Sequence, residues 1–111
     1  MAKGEWLGEF EQMVLLAVLR LEDNAYGMEV RREIALRTGR DTAIGAVYAT
    51  LERLREKGFL RCRDVAPERE SGRQRRAYRV TAVGGRVLEQ ALSAISKMRE
   101  GVQLRPGKAE S

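Results

Sequence analysis

The stretch from Ala43 to Asp64 changes its apolar period in the middle. Up to Gly58, apolar residues recur at spacings of three and four, which predicts an amphipathic helix that ends at the glycine. From Phe59 onward, apolar and basic residues alternate, which predicts a strand. The face of the helix opposite its apolar residues carries almost no side chains; it is formed by Gly45, Ala46, Ala49 and Thr50. With 33% charged residues in the chain, so smooth a face indicates that a partner approaches this helix closely, the alternative being a second helix packed against it.

The rest of the chain reads as three further helices and a second strand. The helices are predicted at about 7–21, 25–38 and 82–102, and the strands at 59–65 and 75–80. Polar residues in front of the later helices are candidate N-caps: Asp23 or Asn24 for the second, Asp41 or Thr42 for the third, and Thr81 for the last. Gly39 predicts the end of the second helix.

This order predicts a mainly helical fold, a winged helix-turn-helix of the form α-α-α-β-β followed by a C-terminal helix. Two short helices joined by a few residues are typical of a helix-turn-helix, and the strand pair that follows supplies the wing. We expect a winged-helix domain over residues 1–81, a C-terminal dimerisation helix over 82–102 and a flexible tail over 103–111.

Positive charge is concentrated in the middle of the chain. Residues 1–30 hold two basic and six acidic side chains, residues 31–79 hold fourteen and seven, and residues 80–111 hold five and three, which together give the net charge of +5. The predicted hairpin, with its loop, carries seven arginines and no lysine: Arg61, Arg63, Arg69, Arg73, Arg75, Arg76 and Arg79. Because the planar guanidinium group binds phosphate well, this distribution favours a polyanionic partner over an ordinary solvated surface.

The sequence lacks the groups that most enzymes use. It has no histidine, and its only cysteine, Cys62, stands mid-strand, where a small half-buried filler is the simplest interpretation. We therefore predict that the protein is not an enzyme and has no metal or other cofactor. No apolar run is long enough to span a bilayer and no signal peptide precedes the first helix, so a cytoplasmic protein without a membrane partner is expected.

Two apolar stripes are left over after a single core has been assembled. Met13 and Leu16 form a second strip on the first helix, and the last helix carries Leu92, Ile95, Met98 and Val102. We predict that these stripes pack together in a homodimer. Trp6 and Phe10 stand near this interface, where they either clasp the partner's last helix or stack on a flat ligand.

Three segments of the sequence resemble the PadR family of transcriptional regulators. They are LGEFEQMVLLAVLRLEDNAYGMEVRREI, GAVYATLERLREKGFL and RRAYRVTAVG, and the resemblance covers about Leu7 to Gly85. It implies a winged-helix DNA-binding domain, homodimerisation through the C-terminal helix, and repression that a small aromatic compound relieves in many members. Tyr48 matches the tyrosine of the family's recognition helix, Gly27 matches the glycine after the aromatic residue of the second helix, and Arg75 and Arg76 match the basic wing strand.

The chain departs from the family pattern in two ways. Ala49 stands where many members have proline, and the chain has a single C-terminal helix, so a ligand would have to lie at the dimer interface. The resulting hypothesis is a homodimeric repressor that binds an inverted repeat in duplex DNA. The alternative is a winged-helix module that binds an acidic protein, whereas 5% aromatic residues disfavour RNA and single strands. The predicted DNA-binding residues are Thr42, Ala46, Tyr48, Ala49, Thr50, Arg53, Arg73, Arg75 and Arg76.

Overall fold

The computed structural model describes residues 6–65 and 75–104 and has the predicted order of elements. The helices are α1 (Glu9–Leu21), α2 (Gly27–Thr38), α3 (Ile44–Glu56) and α4 (Ala82–Arg99), a 3-10 turn spans Glu22–Asn24, and the strands are β1 (Leu60–Val65) and β2 (Arg75–Val80). The fold is therefore an α-α-α-β-β winged helix-turn-helix followed by one helix, as the sequence predicted.

The core lies where the first three helices meet the hairpin. Each helix contributes one apolar face, and the side chains that are almost completely buried are Val14, Leu15, Val18, Val30, Val47, Leu51 and Leu54. Phe59, Leu60 and Tyr78 close the core from the hairpin side, and Cys62 packs against it half-buried. This burial holds α3 between α1, α2 and the wing.

Two of the three predicted N-caps are wrong. Tyr26 precedes α2 and Ala43 precedes α3, and neither donates or accepts a side-chain capping bond. Thr81 is the N-cap of α4 as predicted, because its hydroxyl accepts a hydrogen bond of 3.0 Å from the Gly84 N–H. The same hydroxyl donates to the Gly58 carbonyl at 2.7 Å, so the start of α4 is fixed to the turn between α3 and β1.

The two strands pair antiparallel, with Leu60 opposite Val80 and Cys62 opposite Tyr78. The chain just before α2 adds to the free edge of β2: Tyr26 bridges Ala77, and the Tyr78 N–H donates to the Ala25 carbonyl at 2.9 Å. The wing is thus tied to the start of α2, which explains why the capping residues predicted at Asp23 and Asn24 are not used: the residues after them lie in an extended bridge.

The last helix is packed along its first half only. Gly84, Val87 and Leu88 are buried, whereas the large apolar side chains from Leu92 onward are exposed. The helix ends at Arg99, a turn earlier than predicted, and Gly101 follows in the left-handed region with φ of 77°. The predicted tail over 103–111 lies mostly outside the described residues.

Candidate nucleic-acid interface

The N-terminal half of α3 presents a smooth exposed face. Gly45, Ala46 and Ala49 are exposed, and a β-carbon built on Gly45 would meet no atom within 4 Å. Thr50 does not belong to this face, because it is 4% exposed and its hydroxyl lies 3.4 Å from the Arg53 guanidinium. The side chain of Thr50 is thus turned towards the interior, and its predicted contact with bases gains no support from this placement.

Thr42, which is also predicted to contact DNA, lies in the connection between α2 and α3. Its hydroxyl oxygen is buried and has no hydrogen-bond partner among the described residues. Its carbonyl instead accepts a 2.6 Å hydrogen bond from Nε of Arg31, whose guanidinium also pairs with Asp41 at 3.1 Å. Arg31 thus fixes the connection between α2 and α3, and this contact replaces the predicted cap of α3.

Tyr48 lies on the flank of α3 that faces α2. Its side chain is 45% exposed, and its ring lies against the backbone of Gly27. In the part of the chain that the structure describes, its hydroxyl group is neither buried nor hydrogen-bonded, so it is free to donate to a ligand. The predicted position at the boundary between the smooth and buried faces agrees with this geometry.

The opposite flank of α3 is bound to the start of α1 through Glu11. This carboxylate is almost buried and accepts hydrogen bonds from Nε of Arg53 at 3.1 Å, Nζ of Lys57 at 3.3 Å and the Gly8 N–H at 2.9 Å. Burial acts to raise the pKa of Glu11, but these bonds outweigh it and leave the pKa below its ordinary value. Arg53, predicted to contact DNA, is therefore already paired in the free protein.

Glu52 joins α3 to the wing. One of its oxygens accepts two bonds from Arg55, at 3.1 and 3.0 Å, and the other accepts the Tyr78 hydroxyl at 3.1 Å and lies 3.5 Å from Arg76. The Arg55 bonds lower the pKa of Glu52 against the effect of burial, and the Tyr78 bond adds to the lowering. Burial, with a smaller effect of the bond to Glu52, raises the pKa of Tyr78 to about 12.

The arginines of β2 are held close to α2 and α3. The Arg75 guanidinium lies over the Tyr26 ring, 3.9 Å from its centre, and Arg76 pairs with Asp64 on β1 at 3.5 Å as well as with Glu52. Arg73 lies outside the described residues. The structure thus brings Tyr48 and Arg75 to adjacent residues at the start of α2. Arg76 is held instead by carboxylates of α3 and β1.

Sequence reasoning did not identify Glu11 and Glu52 as organising residues. Both stand on helices among other charges, a pattern that predicts ordinary surface ion pairs. For Glu11, the one local signal is its position three residues after Gly8, at which a glutamate caps the start of its own helix. Nothing in the sequence near Glu52 indicates the bond to Tyr78, which lies 26 residues further on.

Most of the predicted dimer residues are exposed to solvent. Trp6, Leu16, Leu92, Ile95, Met98 and Val102 are exposed, with Trp6 74% and Met98 78% accessible, whereas Phe10 and Met13 are half-buried against the core. Between α1 and α2, Met13, Leu16, Ala17 and Ile34 line an apolar groove of about 230 Å³. Within residues 6–65 and 75–104, no helix is long and apolar enough to cross a bilayer.

Comparison with known proteins gives one family and several similar folds. The family model described as "Transcriptional regulator PadR-like family" matches residues 15–90. A transcriptional regulator from Thermoplasma acidophilum is 24% identical over 79% of this chain and 84% of its own, with a TM-score of 0.64. A PadR-like transcription factor from Bacteroides fragilis is 22% identical over 82% and 84% of the two chains, with a TM-score of 0.66.

A PadR family transcription regulator from Clostridium difficile is 25% identical over 81% of this chain and 94% of its own, with a TM-score of 0.62. A search of curated protein sequences found no match. The family match covers residues from α1 to the first half of α4, and therefore includes every element that surrounds Tyr48 and the wing.

Proposed function

The chain belongs to the PadR-like family of transcriptional regulators, and from this premise we propose that it is a homodimeric repressor that binds an inverted repeat in duplex DNA. The family is one of regulators and not of enzymes, in agreement with the prediction from the sequence. As a regulator of transcription it would act in the cytoplasm.

The observation that carries the proposal is the smooth exposed face of α3 beside the arginines of the wing. The major groove is about 12 Å wide, and Gly45, Ala46 and Ala49 leave base edges free to approach the helix backbone. The alanine methyl groups would contact thymine methyls, while the Tyr48 hydroxyl and the guanidinium groups of the wing would bind phosphates or the minor groove. Arg53 would contact DNA only if its ion pair with Glu11 were broken.

The exposed apolar stripe of α4 supports the homodimer. Ile95 and Met98 are 64% and 78% accessible, and their burial against α1 of a second copy would contribute roughly 25 cal/mol per Å² of apolar surface. Two recognition helices related by a two-fold axis would then meet half-sites about one helical turn apart. A monomeric mass by light scattering at micromolar concentration would refute the dimer.

A flat aromatic effector, where one exists for this protein, would bind at the same interface against Trp6 and Phe10. Trp6 is the only tryptophan of the chain and is 74% exposed, so its emission reports directly on this site. Quenching by an aromatic compound that also releases DNA would support the effector. Quenching without DNA release would show that the compound binds near Trp6 but does not act as an effector.

The decisive experiment is fluorescence anisotropy with the DNA upstream of the protein's own gene and with a scrambled duplex, at several salt concentrations. We expect a preference of about 10³ or more for the upstream DNA and a steep salt slope. Replacing Arg75 and Arg76 by alanine should weaken binding to both duplexes alike and reduce the salt slope by about 2. Equal binding to both duplexes would refute sequence specificity, and no binding at low salt would favour an acidic protein as the partner.

A further inference from the structure

The space that a side chain on Gly27 would fill is occupied by the ring of Tyr48. Gly27 is the first residue of α2 and is buried, and a β-carbon built on it would lie 2.8 Å from the Tyr48 hydroxyl oxygen and closer still to two ring carbons. All three nearest atoms belong to Tyr48. The tyrosine ring of the recognition helix therefore rests directly on the backbone at the start of α2.

Backbone conformation does not explain this glycine. The described glycines with positive φ are Gly39, Gly58 and Gly101, whereas Gly27 has a helical backbone that any residue adopts. A glycine in a helix is less favourable than alanine, because it loses more backbone freedom on folding. At Gly45 and Gly85 a β-carbon would meet nothing within 4 Å, so close contact is not a general property of the helical glycines in this chain.

The residue before Gly27 holds the wing in a similar way. The ring of Tyr26 lies beneath the Arg75 guanidinium at 3.9 Å, a distance at which a cation is attracted to an aromatic face. Tyr26 and Gly27 are thus adjacent residues that hold Arg75 of the wing and Tyr48 of the recognition helix, respectively. Both of these held groups belong to the proposed DNA-binding surface.

We infer that Gly27 is a positioning residue for DNA binding. Because it has no side chain, the Tyr48 ring packs directly on its backbone, and this contact fixes the free Tyr48 hydroxyl in a position to donate to a DNA phosphate. A side chain that is fixed before binding loses less conformational entropy when the complex forms. The inference rests on the proposed function, since it takes Tyr48 as a DNA contact. It does not require a new contact between Gly27 itself and DNA.

The perturbation that tests the inference is Gly27→Ala. The added methyl group meets the far end of a half-exposed side chain, so the ring can swing away while the helices keep their packing. We expect Gly27→Ala to retain the wild-type circular dichroism spectrum and dimer mass. It should lower affinity of the dimer for the operator about 10-fold, as should Tyr48→Ala, which removes one hydrogen bond from each protomer, each bond being worth about a factor of 3.

The double variant separates positioning from an independent defect. If Gly27 acts through Tyr48, then Gly27→Ala combined with Tyr48→Ala should bind about 10-fold more weakly than wild type, and two independent effects would multiply to about 100-fold. Gly85→Ala is the matched control, because it adds the same methyl group to a helical glycine with open space, and it should leave affinity unchanged. Wild-type affinity of Gly27→Ala, or a 100-fold loss in the double variant, would overturn the inference.

Urea unfolding of the same variants distinguishes this inference from the proposed function. In the Tyr48→Ala background no ring contacts the backbone of Gly27, so the higher helix propensity of alanine should let Gly27→Ala raise the urea midpoint. In the wild-type background the displaced ring should cancel part or all of that rise. Equal shifts in both backgrounds would refute the contact between the two residues, whereas failure of the wild type to prefer the operator would refute the proposed function alone.

Discussion

Two neighbouring glycines near the start of α4 should respond to alanine in opposite ways. A β-carbon on Gly84 would meet the backbone of Phe59, 2.9 Å from its carbonyl carbon and 3.0 Å from its Cα, with the carbonyl oxygen nearer still. A β-carbon on Gly85 would meet nothing within 4 Å. Both residues are helical, so their difference isolates the close approach of α4 to the turn before β1.

The magnitude follows from two opposing terms. Overpacking of a well-packed site costs roughly 1–3 kcal/mol, and here the obstacle is backbone that cannot rotate away. Alanine regains up to about 1 kcal/mol of helix propensity at either position. We therefore expect Gly84→Ala to lower the free energy of unfolding by about 1–2 kcal/mol, and Gly85→Ala to raise it by about 0.5–1 kcal/mol.

Urea unfolding followed by circular dichroism measures this difference. All variants must be compared at one protein concentration, because the proposed dimerisation would make the midpoint depend on concentration. The same measurement should show unchanged m-values, since neither substitution alters the surface exposed on unfolding. Equal midpoints for Gly84→Ala and Gly85→Ala would refute the reasoning, because the contact with Phe59 would then carry no cost.

The remaining predictions concern Glu11, Tyr78 and Glu22. Glu11→Gln should cost about 1–3 kcal/mol at pH 7 by weakening charge-assisted bonds. Because the pKa of Glu11 in the folded protein lies below its ordinary value of 4.5, this difference should be full above about pH 4.5 and disappear as the pH falls through the folded pKa. Urea unfolding at pH 7, 5 and 3.5 would detect the change. Tyr78→Phe should cost about 1 kcal/mol and remove the absorbance step at 295 nm near pH 12. Its stability cost should persist up to about pH 10 and decline from there to about pH 12, because the hydroxyl ionises near pH 10 in the unfolded chain but only near pH 12 in the folded protein. Glu22→Gly should raise the melting temperature, since φ of 52° with ψ of −117° favours glycine by about 1 kcal/mol; an unchanged or lower melting temperature would contradict this.

The sequence predicted the order of the elements because each helix and strand carries its own apolar period. The cap of α3 was mispredicted because a distant contact decides it: Arg31 binds the Thr42 carbonyl, and the helix begins only after Ala43. Likewise, the extended bridge of Tyr26 to Ala77 depends on a strand 51 positions further along the chain (77 minus 26). Neither contact can be predicted from the capping preferences of the residues next to the helix.

Residue size alone could not define the interface on α3. Glycine, alanine and threonine are neither strongly apolar nor strongly polar. Their positions on the helix therefore did not show that Thr50 is buried while Ala46 and Ala49 are exposed. The burial of Thr50 follows from the approach of α1, which brings Glu11 to Arg53. A pattern of small residues therefore predicts close approach, but the partner that approaches each residue depends on tertiary packing.

The bridge from α2 to the wing also bears on how the protein avoids self-association through its strands. Because Ala25 and Tyr26 cover the far edge of β2, the open backbone edge of the described sheet belongs to β1. That strand presents Arg61, Arg63 and Asp64 to solvent, and charges on an exposed edge oppose its pairing with the edge of another molecule. The arginines of β1 that help to make the hairpin basic thus have a second consequence, independent of DNA: they disfavour edge-to-edge pairing of the wing with another molecule.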